Sequence, residues 1–180
     1  MGSDSNKVES IAERAARSAR SVKAEDVVAE IINQLGDQSV AAIYRKKVLT
    51  QRTRQYELKA AGKNLPVEIL HTLLGIELKI GNRRLLCPDL ATARYLSVFA
   101  RAGCDVIALP YDITQISRLA DELESSWHRM LLLVEHYGVG RTDRLRATIK
   151  RKLIGITCAE ITRHGAGSKF PQFNQKTRQR

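Results

Sequence analysis

The residues best suited to chemistry in this 180-residue sequence are its cations, which are crowded into two segments. Residues 44–63 read YRKKVLTQRTRQYELKAAGK and contain seven cations and one anion. Residues 138–180 contain eleven cations and two anions, whereas the rest of the chain is faintly acidic. Both segments are nearly free of the carboxylates that usually form i,i+4 ion pairs on a solvated helix, and this composition suits a phosphate backbone. We therefore predict contact with nucleic acid, either DNA or RNA, through these two segments.

The predicted phosphate-binding side chains fall into two groups, one in each basic segment. The first group consists of Arg45, Lys46, Lys47, Arg52, Arg54, Lys59 and Lys63. The second group consists of Arg141, Arg144, Arg146, Lys150, Arg151 and Lys152. Tyr44 and Tyr56 interleave with the first group, either as stacking platforms for unpaired bases or as buried anchors of the segment.

Metal and nucleophile chemistry have less support in the sequence. The cysteines at 87, 104 and 158 are far apart and lie among apolar neighbours, which is typical of small buried side chains. The four histidines show no ligand spacing, and no Ser/His/Asp or Cys/His arrangement can be assembled. The sequence therefore favours a non-catalytic protein that has no metal and no cofactor.

One pair of residues nevertheless suggests an enzyme. Glu77-Leu78-Lys79, on a predicted strand, resembles the E-x-K element of metal-dependent nucleases of the restriction-endonuclease type. The resemblance implies that Glu77 helps to hold Mg²⁺ and that Lys79 lies near the scissile phosphate. In that family an Asp precedes the element, whereas here Asp89 follows it and is predicted to cap a helix. A metal-dependent nuclease is thus the third functional hypothesis.

Two further hypotheses concern partners. As the second functional hypothesis, the chain is an adaptor or assembly subunit whose cations meet an acidic protein. Its protein contacts would be an Ala-rich N-terminal helix and the helix over 113–137. A winged-helix protein is also conceivable, with the hairpin over 76–87 as the wing and residues 65–74 as the recognition helix.

The overall composition is that of an ordinary soluble protein. Hydrophobic residues make up 43% of the chain and charged residues 27%. No apolar run approaches the roughly 20 residues that cross a bilayer, and the N-terminal residues lack the apolar core of a signal peptide. We expect an intracellular protein, cytoplasmic or associated with the nucleoid, that has no membrane partner.

Apolar periodicity and turn residues predict the elements that must position these side chains. Helices are predicted over 8–35 in two pieces, 39–61, 65–74, 89–101, from 111 to 138, and from 142 onward. A hairpin is predicted over 76–87, with Gly81 and Asn82 as its turn, and a buried strand over 104–110. Residues 153–162 are apolar on two sides, so a strand is an alternative there.

These elements predict an α+β fold: a helix-rich single domain with a small mixed three-stranded sheet. Its core would run hairpin, helix, strand, helix over residues 64–162 and end in a basic helix. Residues 1–63 would form a helical N-terminal extension that ends in a basic helix, and residues 163–180 a disordered basic tail.

Overall fold

The first described helix, α1, spans Ala24–Leu35 in a computed structural model that describes residues 23–60 and 65–167. It buries Val27, Val28 and Ile31, and Gly36 ends it with a φ of 46°. The second piece of the predicted N-terminal helix is therefore confirmed. The first piece lies outside the described residues.

The next segment changes conformation halfway. Helix α2 spans Val40–Ile43, Ser39 caps it by accepting a hydrogen bond from the Ala42 amide at 3.2 Å, and a single π turn follows over Tyr44–Val48. Strand β1 then spans Thr53–Glu57. The predicted helix over 39–61 is thus wrong beyond the π turn, because the second half pairs with a distant strand.

Three consecutive strands form an antiparallel sheet in the order β2-β3-β4. They span Val67–Thr72, Gly75–Ile80 and Arg83–Cys87, and Gly81 adopts a φ of 58° in the second turn. The predicted hairpin is confirmed, but the helix predicted over 65–74 is wrong. The apolar residues of that segment suit a helix as well as a strand, and pairing with β3 decides for the strand. The winged-helix hypothesis fails with it, because its recognition helix is strand β2.

Strand β5 spans Val106–Pro110 and is almost entirely buried, as predicted. It pairs antiparallel with β1, from Thr53 opposite Pro110 to Glu57 opposite Val106. The α+β class is therefore confirmed, whereas the mixed three-stranded sheet is replaced by two antiparallel sheets. The difference arises because the partner of β5 comes from residues that were predicted to be helical.

Three longer helices complete the described residues, and all three begin at capping side chains. Helix α3 spans Leu90–Arg101, α4 spans Ile113–Gly138, and α5 spans Asp143–His164. These helices confirm the sequence predictions, and the alternative strand over 153–162 is wrong. Helix α3 packs between the three-stranded sheet and α4, while α5 packs against α1, α2 and α4. Within residues 23–60 and 65–167, no helix is both long and apolar enough to cross a bilayer.

One hydrophobic core joins residues from α1 through α5. Near its centre, the ring of Phe99 lies 5.4 Å from that of Tyr44 and 5.0 Å from that of Tyr95. All three rings are fully buried. Tyr44 is therefore an anchor of the fold, and its interpretation as a platform for bases is wrong. The proposed boundaries at residues 63 and 162 stay predictions, and most of the predicted tail, from residue 168 onward, lies outside the described residues.

Candidate functional site

Several of the predicted phosphate-binding side chains are neutralised by the protein's own carboxylates. Lys46 pairs with Asp37 at 2.6 Å, Lys47 with Glu122 at 2.5 Å and Lys59 with Glu57 at 3.9 Å. Arg146 pairs with Asp143 and Glu135, and Lys152 pairs with Glu25. Exposed ion pairs contribute little to stability, so a polyanion could compete with them, but each pair cancels local positive charge. These five cations are therefore the weaker candidates.

Two arginines of the first basic segment converge on an aromatic ring. The guanidinium carbons of Arg52 and Arg54 lie 5.2 and 6.0 Å from the centroid of the Tyr111 ring, which is 41% exposed. Register brings them together, because Arg52, directly before β1, and Arg54, on β1, are two residues apart and so share a face, and Tyr111, directly after β5, lies opposite Arg52. This Arg–Tyr surface could contact phosphate and an unpaired base.

The remaining members of the two predicted groups are dispersed. Arg45 is exposed and lines a cleft with Asp37 and Arg163 near the end of α5. Arg144 is exposed on the first turn of α5, and Arg141 is half-buried before that helix. Lys63 lies outside the described residues. The structure therefore does not gather all the predicted cations on one surface.

Two cavities without a lining carboxylate form a groove between the C-terminal end of α3 and one side of α5, which we call the basic groove. Its main cavity has a volume of about 560 Å³. A second cavity of about 360 Å³ adjoins it and shares Arg101, Lys150 and Ile154 with it. The main cavity is lined by Arg101, Ala102, Gly103, Ala147, Lys150, Arg151, Ile154, Gly155, Cys158 and Ala159. No Asp or Glu lines either cavity, and in the main cavity three cations stand among small and apolar side chains.

Helix α5 can form this groove because it has two apolar sides. One side buries Ile149, Leu153 and Ile161 in the core. The other side carries Ala147, Ile154 and Gly155 at i, i+7 and i+8, with Lys150 and Arg151 between them at i+3 and i+4. Among the described residues, no carboxylate forms an ion pair with either of these cations. Small and apolar residues of 153–162 that also fitted a strand in the sequence therefore line the groove on this side of the helix.

Two residues of these surfaces were missed by the sequence analysis. Arg101 comes from a faintly acidic segment, but it ends α3 and so lies beside α5 at the groove. Tyr111 was treated only as the entry to α4. A signal existed for Arg101, since a cation in the last turn of a helix is a common feature, but nothing local places it next to Lys150.

The nuclease hypothesis finds no assembled site. Glu77 and Lys79 share a face of β3, yet Glu77 pairs with Arg84 at 3.4 Å and Lys79 with Glu68 at 3.1 Å. Asp89 instead caps α3, accepting a hydrogen bond from the Thr92 amide at 2.6 Å. In the part of the chain that the structure describes, no three His, Cys, Asp or Glu side chains are grouped to hold a metal ion.

The adaptor hypothesis loses one of its two contact surfaces. The apolar face of α4, including Ile116, Leu123 and Met130, is buried inside the protein. The other surface, the Ala-rich helix, lies outside the described residues.

Comparison of the chain with family models, curated proteins and solved structures gives no match.

Proposed function

We propose that this protein binds nucleic acid without acting on it, and that the basic groove is its principal phosphate-binding surface. The observation that carries the proposal is the meeting of Arg101, Lys150 and Arg151 at a groove without a lining carboxylate. Lys150 and Arg151 are exposed, and Arg101 is half-buried, so their charges are available to a ligand. Each phosphate neutralised by such a side chain releases condensed counterions, which favours binding at low ionic strength.

The groove favours an unpaired strand over a duplex. Its floor is apolar and is formed by residues such as Ile154 and Gly155, between cations that could hold the flanking phosphates. An unpaired base that is turned out of its stack can pack against this apolar floor. The bases of a duplex stay stacked, so a duplex would offer the groove mainly its phosphate backbone. The cavity volume of about 560 Å³ lies within the range of ligand sites. The Arg–Tyr surface around Tyr111 supplies a second contact of the same chemistry.

Replacing the three groove cations tests this proposal directly. The triple variant Arg101→Gln, Lys150→Gln, Arg151→Gln should weaken binding of a single-stranded oligonucleotide about tenfold or more at low salt. The magnitude of the log–log salt slope should fall by about 2, since each single-strand phosphate contact contributes about 0.7. Filter binding at several salt concentrations measures both quantities, with a duplex and a structured RNA as parallel ligands.

A matched control removes the same charge from another place. The triple variant Lys46→Gln, Lys47→Gln, Lys152→Gln also loses three cations, but each of these is already paired with a carboxylate of the protein. It should bind nearly as tightly as the parent. Equal weakening by the two triple variants would show that only net charge matters and would remove the groove from the proposal. Absence of binding to every nucleic acid at low salt would overturn the function itself.

A further inference from the structure

Two of the three cysteines meet beneath the basic groove. Cys158, on α5, donates a hydrogen bond from its thiol to the Gly103 carbonyl oxygen at 3.5 Å. Cys104, the next residue after Gly103, is 1% exposed, and its side chain hydrogen-bonds to that of Cys158. Cys158 itself is half-buried and lines the main cavity of the groove. A cavity-facing thiol therefore sits against a second thiol that solvent does not reach.

The surroundings of this pair shift the pKa values of the two thiols in opposite directions. The hydrogen bond from Cys104, reinforced by one from the Thr162 hydroxyl, holds the pKa of the Cys158 thiol below its ordinary value, although burial and the Asp105 carboxylate oppose this. The same hydrogen bond, with burial, raises the pKa of Cys104. Of the two thiols, Cys158 therefore loses its proton more readily, and Cys104 stays protonated and can donate to it. Arg101, Lys150 and Arg151 are the other charged groups at this cavity.

We propose that Cys158 is a peroxide-reactive thiol and that Cys104 resolves it into an intramolecular disulfide. The Cys158 thiolate attacks one oxygen of a hydroperoxide, the O–O bond breaks, and the sulfur is oxidised to a sulfenic acid while the peroxide is reduced to water or an alcohol. The Cys104 sulfur then attacks the sulfenic sulfur, the S–O bond breaks, and the hydroxyl leaves as water with the Cys104 proton. The peroxide supplies the oxidising equivalents, and one disulfide forms for each peroxide consumed.

The third cysteine provides an internal contrast. Cys87 is 5% exposed, its thiol points to the Leu85 carbonyl oxygen at 3.7 Å, and burial raises the pKa of its thiol. Thiolate character and access both favour oxidation, so Cys87 should be inert where Cys158 reacts.

Peptide mapping of the oxidised full chain tests the proposed disulfide. The reduced protein is exposed to a small excess of hydrogen peroxide at neutral pH, free thiols are then alkylated, and the protein is digested without reductant. The expected product is a cross-linked peptide pair that contains Cys104 and Cys158, lost after dithiothreitol treatment, with Cys87 alkylated. Full alkylation of all three cysteines after peroxide treatment, in protein whose circular dichroism is native, would overturn the proposal.

Single substitutions distinguish the attacking thiol from the resolving one. In Cys104→Ser, the sulfenic acid at Cys158 cannot be resolved, so dimedone should label Cys158 and no cross-link should form. In Cys158→Ser, neither product should appear, and Cys87→Ser should behave as the parent does. Dimedone labelling of Cys104 in the Cys158→Ser variant, at the rate seen for Cys158, would contradict the assignment of roles.

Discussion

At the scale of single residues, the Tyr44 hydroxyl makes two hydrogen bonds inside the protein. It accepts from the Ala108 amide at 2.8 Å and donates to the Gly165 carbonyl at 2.7 Å. The Tyr95 hydroxyl donates to the Ala108 carbonyl at 2.7 Å. In the β1–β5 ladder, Arg52 bonds to Tyr111 and Leu58 bonds to Asp105, and hydrogen-bonded pairs alternate with non-bonded pairs between them. Ala108 belongs to a non-bonded pair, so its N–H and C=O groups both point away from β1. The hydroxyls of Tyr44 and Tyr95 therefore provide hydrogen-bond partners for Ala108 on the edge of β5 that faces away from β1.

We expect Tyr44→Phe to destabilise the protein by about 1–3 kcal/mol at neutral pH, because it leaves the buried Ala108 amide without a partner. The cost should shrink as the pH rises from about 10 to about 12. Burial raises the pKa of the Tyr44 hydroxyl to about 12. The stability that the protonated hydroxyl contributes is therefore complete below the ordinary tyrosine pKa of about 10 and is lost as the pH rises from there to about 12. Urea denaturation of parent and variant across this pH range measures the difference. A difference that stays constant with pH would contradict it.

At the scale of elements, the capping of α3 is the most direct local determinant of the fold. Asp89 accepts from the Thr92 amide at 2.6 Å through one carboxylate oxygen and from the Thr92 hydroxyl at 3.2 Å through the other. We expect Asp89→Ala to cost about 1 kcal/mol, whereas Asp89→Asn, which keeps an acceptor, should cost only a few tenths. Thermal denaturation compares the two variants. Equal destabilisation by both would show that the negative charge matters rather than the cap.

Elements with local signals were predictable, and elements defined by distant partners were not. Capping residues and apolar periodicity predict helices α3, α4 and α5, and the Gly-Asn turn predicts the β3–β4 hairpin. Strand β1 is polar except for one tyrosine, and the apolar residues of β2 fit a helix as well as a strand, so only pairing with β5 and β3 makes them strands. Nothing within either segment encodes this pairing, because it depends on where the fold places the partner strand.

At the scale of the whole molecule, charge counted along the chain differs from charge on the surface. Folding brings Glu122, from the acidic middle, against Lys47, and Glu25, from the N-terminal part, against Lys152. It also brings Arg101, from the same acidic middle, beside Lys150. The sequence could therefore indicate the positive charge of the groove and two of its three cations. The groove itself depends on how α3 meets α5, which no local pattern encodes.

Occupation of the groove by nucleic acid should be visible at Cys158, which lines the cavity between the three cations. A single-stranded oligonucleotide at ten times its dissociation constant should slow alkylation of Cys158 about tenfold at low salt, because only the unbound fraction reacts. High salt should abolish the protection, and alkylation of Cys87 should not change. The groove triple variant should show no protection under the same conditions. If the oligonucleotide binds at saturation and Cys158 still reacts at its free rate, binding occurs elsewhere, and the Arg–Tyr surface around Tyr111 becomes the site to mutate.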